Sequence, residues 1–523
     1  MLQVAVSKGR EPVIIFLAVM AIGLIVAFYL YLVVDKYSLL YYWDAVSHLV
    51  ASRKFVDWGE NPGLNQIGTV WMPLPHFLLL PFTLVNSLFT TGFAGTALSL
   101  PCLALTAVYL FKIAKALKIP SIAVIPSYAA FAGAMLYAAN PSILYLGITS
   151  MTEAPFMLFF VASAYYFQSW YQNGNRLKDL ILCSVFLSFA TLCRYESWFL
   201  PIFLIIVVAA VTMRGKNNNN NKQKAFAILA AILSLSSITF WLEWNQYHYG
   251  NAFEFSSAQY YSASWYAQNR AFRELLFLQP ANVLSVYGYT AFTMFGPFLL
   301  GAGAIGYYVF RKSHVSGKKL LLLFLALPPI FTIVSLLIGI GEMAYWFNSR
   351  FMVLLSPLVI VMACIFLANT RIRAKNRMVI PVAIGLLFAS QLVMPAFSTV
   401  ITMNDAIGGY SVKENQLAVK AGEALKSLYD NGNIMVLTGS GLEQRIMITS
   451  GIALKNFDEI IEGSTWKASF KEPWAYDRWI VITSRPGTDA LTTTQHWLDR
   501  QDELDQHYKV AYENEFYKIM VLR

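Results

Sequence analysis

An acid and a histidine stand four residues apart in Tyr41-Tyr42-Trp43-Asp44-Ala45-Val46-Ser47-His48, directly after an apolar run long enough to cross a bilayer. On a helix, Asp44, Ser47, His48 and Ala51 share one face, while Trp43, Val46, Leu49 and Val50 cover the other. That pattern predicts an amphipathic helix lying on the membrane with its polar edge toward a cavity. Asp44 is then a candidate general base or hydroxyl anchor. His48 is placed to orient it, share its proton or bind phosphate.

Five further groups carry charge or hydrogen-bonding capacity where apolar chain would be expected. The rigid segment Gly68-Thr69-Val70-Trp71-Met72-Pro73-Leu74-Pro75-His76 brings Trp71 as an interfacial anchor and His76 toward the same cavity. In Ser150-Met151-Thr152-Glu153-Ala154-Pro155 a carboxylate precedes a helix-starting proline, with Thr152 or Ser150 as the expected cap. Arg194-Tyr195-Glu196 and Asn348-Ser349-Arg350-Phe351 each put an arginine at a membrane boundary, where a bidentate cation suits a lipid-linked phosphate. The stretch 244–283, read as a large loop, is rich in rings and amides, with Asn245 and Tyr260 as candidate sugar or headgroup contacts. Asp44, His48, His76 and Glu153 together also make a candidate set for a divalent ion.

These groups need a membrane frame. Of 523 residues, 57% are hydrophobic and 13% charged. Apolar runs near 12–34, 94–116, 120–139, 154–171, 177–193, 197–213, 225–243, 284–310, 319–339, 350–369 and 379–400 predict about eleven transmembrane helices. Pro73–Thr90, with three prolines, is expected in the interface, as part of the interfacial helices of the first outer loop. With that choice, 19 Lys and Arg before residue 400 fall on the side of the N-terminus and seven on the other. The positive-inside rule then sets the N-terminus in the cytoplasm of a multi-pass cell-membrane protein. Ten of the twelve acids before residue 400 fall on the outer side. The net charge of +10 follows from the inner loops and calls for no nucleic acid. Four scattered cysteines without a CxxC pair indicate neither a disulfide framework nor a zinc site. The asparagine-rich inner loop Arg214–Lys224 is expected to be disordered. After residue 400 the composition turns mixed, and short β-rich runs alternate with helical stretches near 413–429, 441–450 and 488–499. Residues 401–523 are therefore expected to form a small extracytoplasmic α/β domain beside a transmembrane domain of residues 1–400.

The order of Asp44, the Trp-x-Pro-Leu-Pro segment, acid-Ala-Pro at Glu153 and Arg350-Phe351 resembles the C-type superfamily of membrane glycosyltransferases, including the protein O-mannosyltransferases and the aminoarabinose transferases of lipid A. The resemblance implies an inverting enzyme that moves a sugar from a polyprenyl-phosphate carrier to a protein, lipid or glycan acceptor on the outer face. By resemblance Asp44 deprotonates the acceptor hydroxyl, and Arg194 and Arg350 stabilise the leaving phosphate. Trp71, His76, Glu196, Asn245 and Tyr260 would line the substrates. Relatives often pair two acids at the first motif; here Ala45 and Val46 follow Asp44 and His48 is the next chemically active group. No nucleotide fingerprint is present, which fits a lipid-phosphate donor, and no cofactor beyond the divalent-ion option is implied. A transporter or lipid flippase with an acidic outward vestibule is the alternative, and a scaffold displaying 401–523 a third. The sidedness has a direct check: Asn217→Cys should react with an impermeant thiol reagent only from the cytoplasmic side, and Asp430→Cys only from outside.

Overall fold

The computed structural model describes residues 9–59, 61–117, 122, 124–173, 176–214, 220–258, 264, 267, 272–313, 318–345, 347–373, 378–397, 400–408, 412–436, 441–459, 468–483, 497 and 499–523. Helix follows each of the eleven apolar runs. Six helical stretches among the described residues are long and apolar enough to cross a membrane, the first being Glu11–Val34 and the last Ser349–Thr370. The chain is a polytopic helical membrane protein.

Helix α1 (Glu11–Tyr29) leads through a tight turn to the interfacial α2 (Trp43–Arg53). The proline-rich stretch is helical but broken, as α3 (Pro73–Thr83) and α4 (Asn86–Thr91). Eleven residues rise only about 16 Å, roughly half the hydrocarbon thickness, so neither piece spans. After these come α5 (Phe93–Ala116), α6 (Ser127–Ala138), α7 (Pro141–Leu146), α8 (Glu153–Gln172), α9 (Leu177–Thr191), α10 (Phe199–Arg214) and α11 (Asn220–Tyr249). Two expectations need correction here. Residues 220–224 of the asparagine-rich segment form the start of α11, where its polar first turn needs no burial. Residues 244–249 are the last turns of α11 and not loop, because the apolar period runs on through Trp241 and Asn245, both fully buried.

The later helices are Pro280–Lys312, Lys318–Leu337, Ser356–Arg373 and Val379–Phe397. The first is broken at Gly296-Pro297, where Gly296 has φ 70° and an added Cβ would meet Ser390 at 2.3 Å. The backbone groups freed by the break find partners in neighbouring helices. Asn140 Nδ2 donates to the Met294 carbonyl at 2.7 Å, and the Phe298 N–H donates to Ser390 Oγ at 3.1 Å. In hydrocarbon such groups must be paired inside the protein.

The C-terminal residues form a five-stranded sheet from β1 (Ile434–Val436), β2 (Phe457–Glu459), β3 (Trp479–Thr483), β4 (Tyr508–Glu513) and β5 (Tyr517–Leu522), in the order β2-β1-β3-β5-β4. β1 runs parallel to β2 and β3, while β5 is antiparallel to β3 and β4. Helices Val412–Leu428 and Gly441–Ser450 cover it; most of the third expected helix, near 488–499, lies outside the described residues. Helix Ile401–Gly408 instead packs on α7 and the turn Ser349–Leu355, on the membrane side of this boundary.

The sheet domain shares a hydrophobic core with the interfacial helices. Leu40, Val46, Leu49 and Val50 cluster with Leu425, Ile446, Met447 and Phe457. Polar ties reinforce it. Buried Arg445 donates to the Leu40 carbonyl and to Asn415, Ser47 Oγ donates to Gln444 at 2.5 Å, and Asp57 accepts the backbone N–H groups of Leu454 and Lys455. The segment bearing Asp44 is thus clamped between the membrane helices and the sheet domain.

Asp477, 1% exposed, sits just before β3 with its carboxyl pushed up to about 8 by burial and then by the charge of Asp458. An acid whose folded pKa is raised holds more protons folded than unfolded, so stability falls as pH rises from about 4 to about 8. Asp477→Asn should flatten that slope and raise the melting temperature of the detergent-solubilised protein at pH 8 relative to wild type, as read by thermal denaturation across this window.

Candidate active site

Five charged side chains from four distant parts of the chain meet at one end of the helices in an alternating line. Arg350 Nη1 donates to Asp44 Oδ2. Its Nε lies 3.6 Å from Glu153 Oε1. The same carboxylate accepts from Arg194 Nη1 at 2.6 Å, and Arg194 Nη2 and Nε reach Glu196 Oε1 at 2.7 and 3.1 Å. Glu153 is only 1% exposed, so the arginines must balance it. Phe351 lies under both guanidinium groups, 5.1 Å from Arg194 and 5.4 Å from Arg350, and Tyr42 faces Arg350 at 5.4 Å.

Local structure explains each placement. Asp44 sits in the first turn of α2 and Glu153 opens α8, where helix N-termini favour a carboxylate. Neither Thr152 nor Ser150 caps α8, contrary to expectation. Thr152 Oγ1 accepts from Arg194 at 3.1 Å, and Ser150 Oγ donates to the Ala45 carbonyl at 2.7 Å, where it braces α2. Arg350 lies in the tight turn Ser349–Leu355, and Arg194 between α9 and α10.

Two polar atoms in this line, Glu153 Oε2 and Arg350 Nε, are buried without a hydrogen-bond partner among the described residues. Arg194 by contrast spends its donors on Glu153, Glu196 and Thr152. Of the two arginines, Arg350 therefore has donor capacity left for an incoming anion.

The histidines stand beside this line, paired with each other. His48 Nδ1 is 2.9 Å from His76 Nε2, and His76 Nδ1 is 3.0 Å from the Met72 carbonyl. Trp71 packs on both rings, with centroids 4.4 Å from His48 and 5.8 Å from His76. Burial, then the neighbouring ring and the fields of Arg350 and Arg194, holds His48 well below the usual imidazole range. Burial lowers His76 to about 4, opposed by its bond to Met72.

These pairings correct two expectations. The partner of His48 is His76 and not Asp44, because the ring turns toward α3 while Asp44 turns to Arg350. The four candidate metal ligands do not converge. Each carboxylate is engaged by arginine and each histidine by the other, and no group of three or more His, Cys, Asp or Glu among the described residues could hold a metal ion. Asn245 is fully buried and engaged at both ends, with Oδ1 accepting from Thr69 and Nδ2 donating to the Trp241 carbonyl at 2.8 Å. It anchors the Trp71 segment to α11. Tyr260 lies outside the described residues.

One site residue was not foreseen. Asp405, just past the last long helix, accepts from Tyr42 OH, from Ser349 Oγ at 3.2 Å and from the Asn348 N–H at 3.0 Å. Burial raises its carboxyl, and those three donors and Arg350 pull it back. It fixes Tyr42, and through that ring the guanidinium of Arg350. The available signal was an acid directly after an apolar run, the same signal that marks Asp44.

Residues 73–242, about a third of the chain, match the family model for dolichyl-phosphate-mannose-protein mannosyltransferase. That stretch contains His76, Glu153, Arg194 and Glu196. No curated protein sequence matches. Among solved structures, ArnT from Cupriavidus metallidurans bound to undecaprenyl phosphate is similar over 98% of both chains, at 10% identity and a TM-score of 0.57. Its apo state is similar over 97% of both, at 11% identity and a TM-score of 0.55. The apo oligosaccharyltransferase of Archaeoglobus fulgidus is similar over 90% of this chain and 69% of its own, at 12% identity and a TM-score of 0.49. The fold over the whole chain is thus similar to that of ArnT, and residues 73–242 carry the match to the mannosyltransferase family model.

Because Glu153 balances two arginines and Glu196 only one, Glu153→Gln should cost roughly 3–5 kcal/mol and Glu196→Gln clearly less. Thermal unfolding of the two purified variants against wild type checks the order.

Proposed function

We propose that this protein is a glycosyltransferase that moves a sugar from a polyprenyl-phosphate carrier to an acceptor hydroxyl or amide on the outer face of the membrane, with inversion at the anomeric carbon. The observation that carries the reading is Arg350, which touches Asp44 while its buried Nε, 3.6 Å from Glu153, has no hydrogen-bond partner among the described residues. The family description and the undecaprenyl phosphate named for the ArnT structure support a lipid-phosphate donor.

In this reading the donor phosphate docks on Arg350 and takes over its charge. Asp44 is thereby released from its ion pair and becomes the general base. The acceptor oxygen attacks the anomeric carbon as the bond to the phosphate oxygen breaks, and the proton goes to Asp44. The donor is a phosphodiester with one negative charge, and the departing lipid phosphate carries more. Arg350, held by Tyr42 and Phe351, binds that extra charge more strongly than the ground state, which is the condition for acceleration. Arg194 keeps Glu153 and Glu196 in place and adds positive field. Trp71, His76 and Asn245 belong to the walls of this site or to its support. The distribution of basic residues supports an N-terminus in the cytoplasm and residues 401–523 on the outer side, next to the site that they help to shape.

The purified protein should transfer a labelled sugar from at least one member of a panel of polyprenyl-phosphate sugars. Asp44→Asn should lower kcat by about 100- to 10,000-fold, and Arg350→Lys should weaken donor use while leaving Asp44 in place. A wild-type protein inert toward every donor, yet moving solute in proteoliposomes, overturns the reading.

A further inference from the structure

Three membrane helices leave a groove toward the end of the bundle away from the charged line. Pro280–Lys312 and Ser356–Arg373 pack tightly because glycine brings their backbones together. A Cβ added at Gly306 would collide with the Met362 carbonyl, and one at Gly303 would already touch Val359 at 3.7 Å. Lys318–Leu337 meets that pair far more sparsely. Between the three lies an apolar groove of about 500 Å³, within the roughly 300–1,000 Å³ of ligand sites. The small side chains of Ala304 and Ala326 give it depth, and Leu300, Leu323 and Leu358 line it. Leu323 keeps 42% of its surface exposed, so the groove opens toward lipid. Its depth in the bilayer follows from the helix that walls it. Lys318–Leu337 has 20 residues and rises about 30 Å, close to the hydrocarbon thickness. Its last turn leads by a short loop to Ser349–Leu355 and Arg350. Lys319, at its start, therefore stands near the opposite face of the membrane.

Charge selects what fills this groove. Lys319 is the one charged residue in its lining, and it makes no ion pair with a described residue. No Asp or Glu occurs between Glu274 and Glu342, whereas Arg311, Lys312, Lys318 and Lys319 bracket the turn that joins the two helices. Hydrocarbon holds no water to occupy an apolar groove, and a void forfeits the contacts of every atom that lines it. A lipid chain is the occupant that the surroundings supply. The cation at the rim then favours a headgroup with net negative charge, because a zwitterionic headgroup brings a cation of its own.

We infer that the groove seats one chain of an anionic phospholipid from the leaflet opposite the charged line, with the lipid phosphate on Lys319. The chain makes the contacts that side chains leave unmade, and so joins Lys318–Leu337 to the tightly packed pair. This lipid is not the donor carrier. In the transferase reading the carrier's phosphate sits at Arg350, at the other end of the same helices, so the groove and the site each hold their own phosphate. The lipid site needs only the membrane fold and stands whether or not the protein transfers sugar.

Native mass spectrometry of the full-length protein in detergent tests this, with phosphatidylglycerol and phosphatidylcholine of matched acyl chains added in turn. Wild type should hold one phosphatidylglycerol about fivefold more tightly than phosphatidylcholine. Lys319→Gln should erase that preference and keep the weaker binding of both lipids. Ala304→Phe puts a ring into the groove and should abolish the tight lipid whatever its headgroup. Ile305→Phe adds the same ring one position on, at a residue 49% exposed and outside the groove, and should bind as wild type does. A wild type without headgroup preference overturns the inference, as does a Lys319→Gln protein that keeps the full preference. Ala304→Phe with wild-type binding places the lipid elsewhere and overturns it too. Lys319 is exposed, so its variant tests the headgroup contact even should Ala304→Phe fail to fold. Undecaprenyl phosphate added in competition separates the remaining occupant. Displacement of the tight phosphatidylglycerol from wild type, but not of the weak lipid from Ala304→Phe, would assign the groove to the donor carrier and overturn the phospholipid site.

Discussion

Buried charge governs the end of this molecule at which the helices meet the sheet domain. Glu153 is almost wholly enclosed, and a carboxylate in that position is tolerated only because two guanidinium groups converge on it. Each guanidinium in turn needs a second carboxylate, supplied by Asp44 and Glu196. The helices that bring these residues, α2, α8, the end of α9 and the turn at Ser349–Leu355, are therefore held in register by charge as well as by packing. An apolar replacement of the whole line would pack as well. What the charges add is a set of cations neutralised by groups that an anionic ligand can displace.

Much of this was legible in the sequence because membrane proteins make misplaced charge conspicuous. Asp44, Glu153, Arg194 and Arg350 each interrupt or border an apolar run, and the two arginines break the sidedness of the other basic residues. The broken character of Pro73–Thr90 was readable for a similar reason, since proline cannot donate to a helix. The pairing was harder. Helical spacing puts Asp44 and His48 on one face but leaves open which way each side chain turns, and His76 and Arg350 lie 28 and 306 residues from their partners. Asp405 escaped notice because its neighbours read as the opening of a mixed-charge outer domain, where an acid is unremarkable. Asn245 looked like a ligand contact because a buried amide and an exposed one have the same sequence signature.

The sheet domain is more than an appendage. Its helices share a hydrophobic core with α2 to α4, and Arg445 reaches across to the carbonyl of Leu40, four residues before Asp44. The position of the proposed base is thus set from both sides of the membrane surface. Within the membrane, the break at Gly296-Pro297 is mended by Asn140 and Ser390, so an irregular backbone persists without exposing it to lipid.

The bond between Tyr42 and Asp405 joins residues 363 positions apart, one after the first long helix and one after the last. A ribosome feeding this chain into a membrane delivers Tyr42 and Asp44 early and their partners last. For most of synthesis the early acid waits at the bilayer surface without its arginine, and Glu153 waits with only Arg194. The site therefore closes late in insertion, and a chain that stalls before residue 350 should present its charges unmatched, a feature by which quality control can tell an unfinished molecule from a complete one.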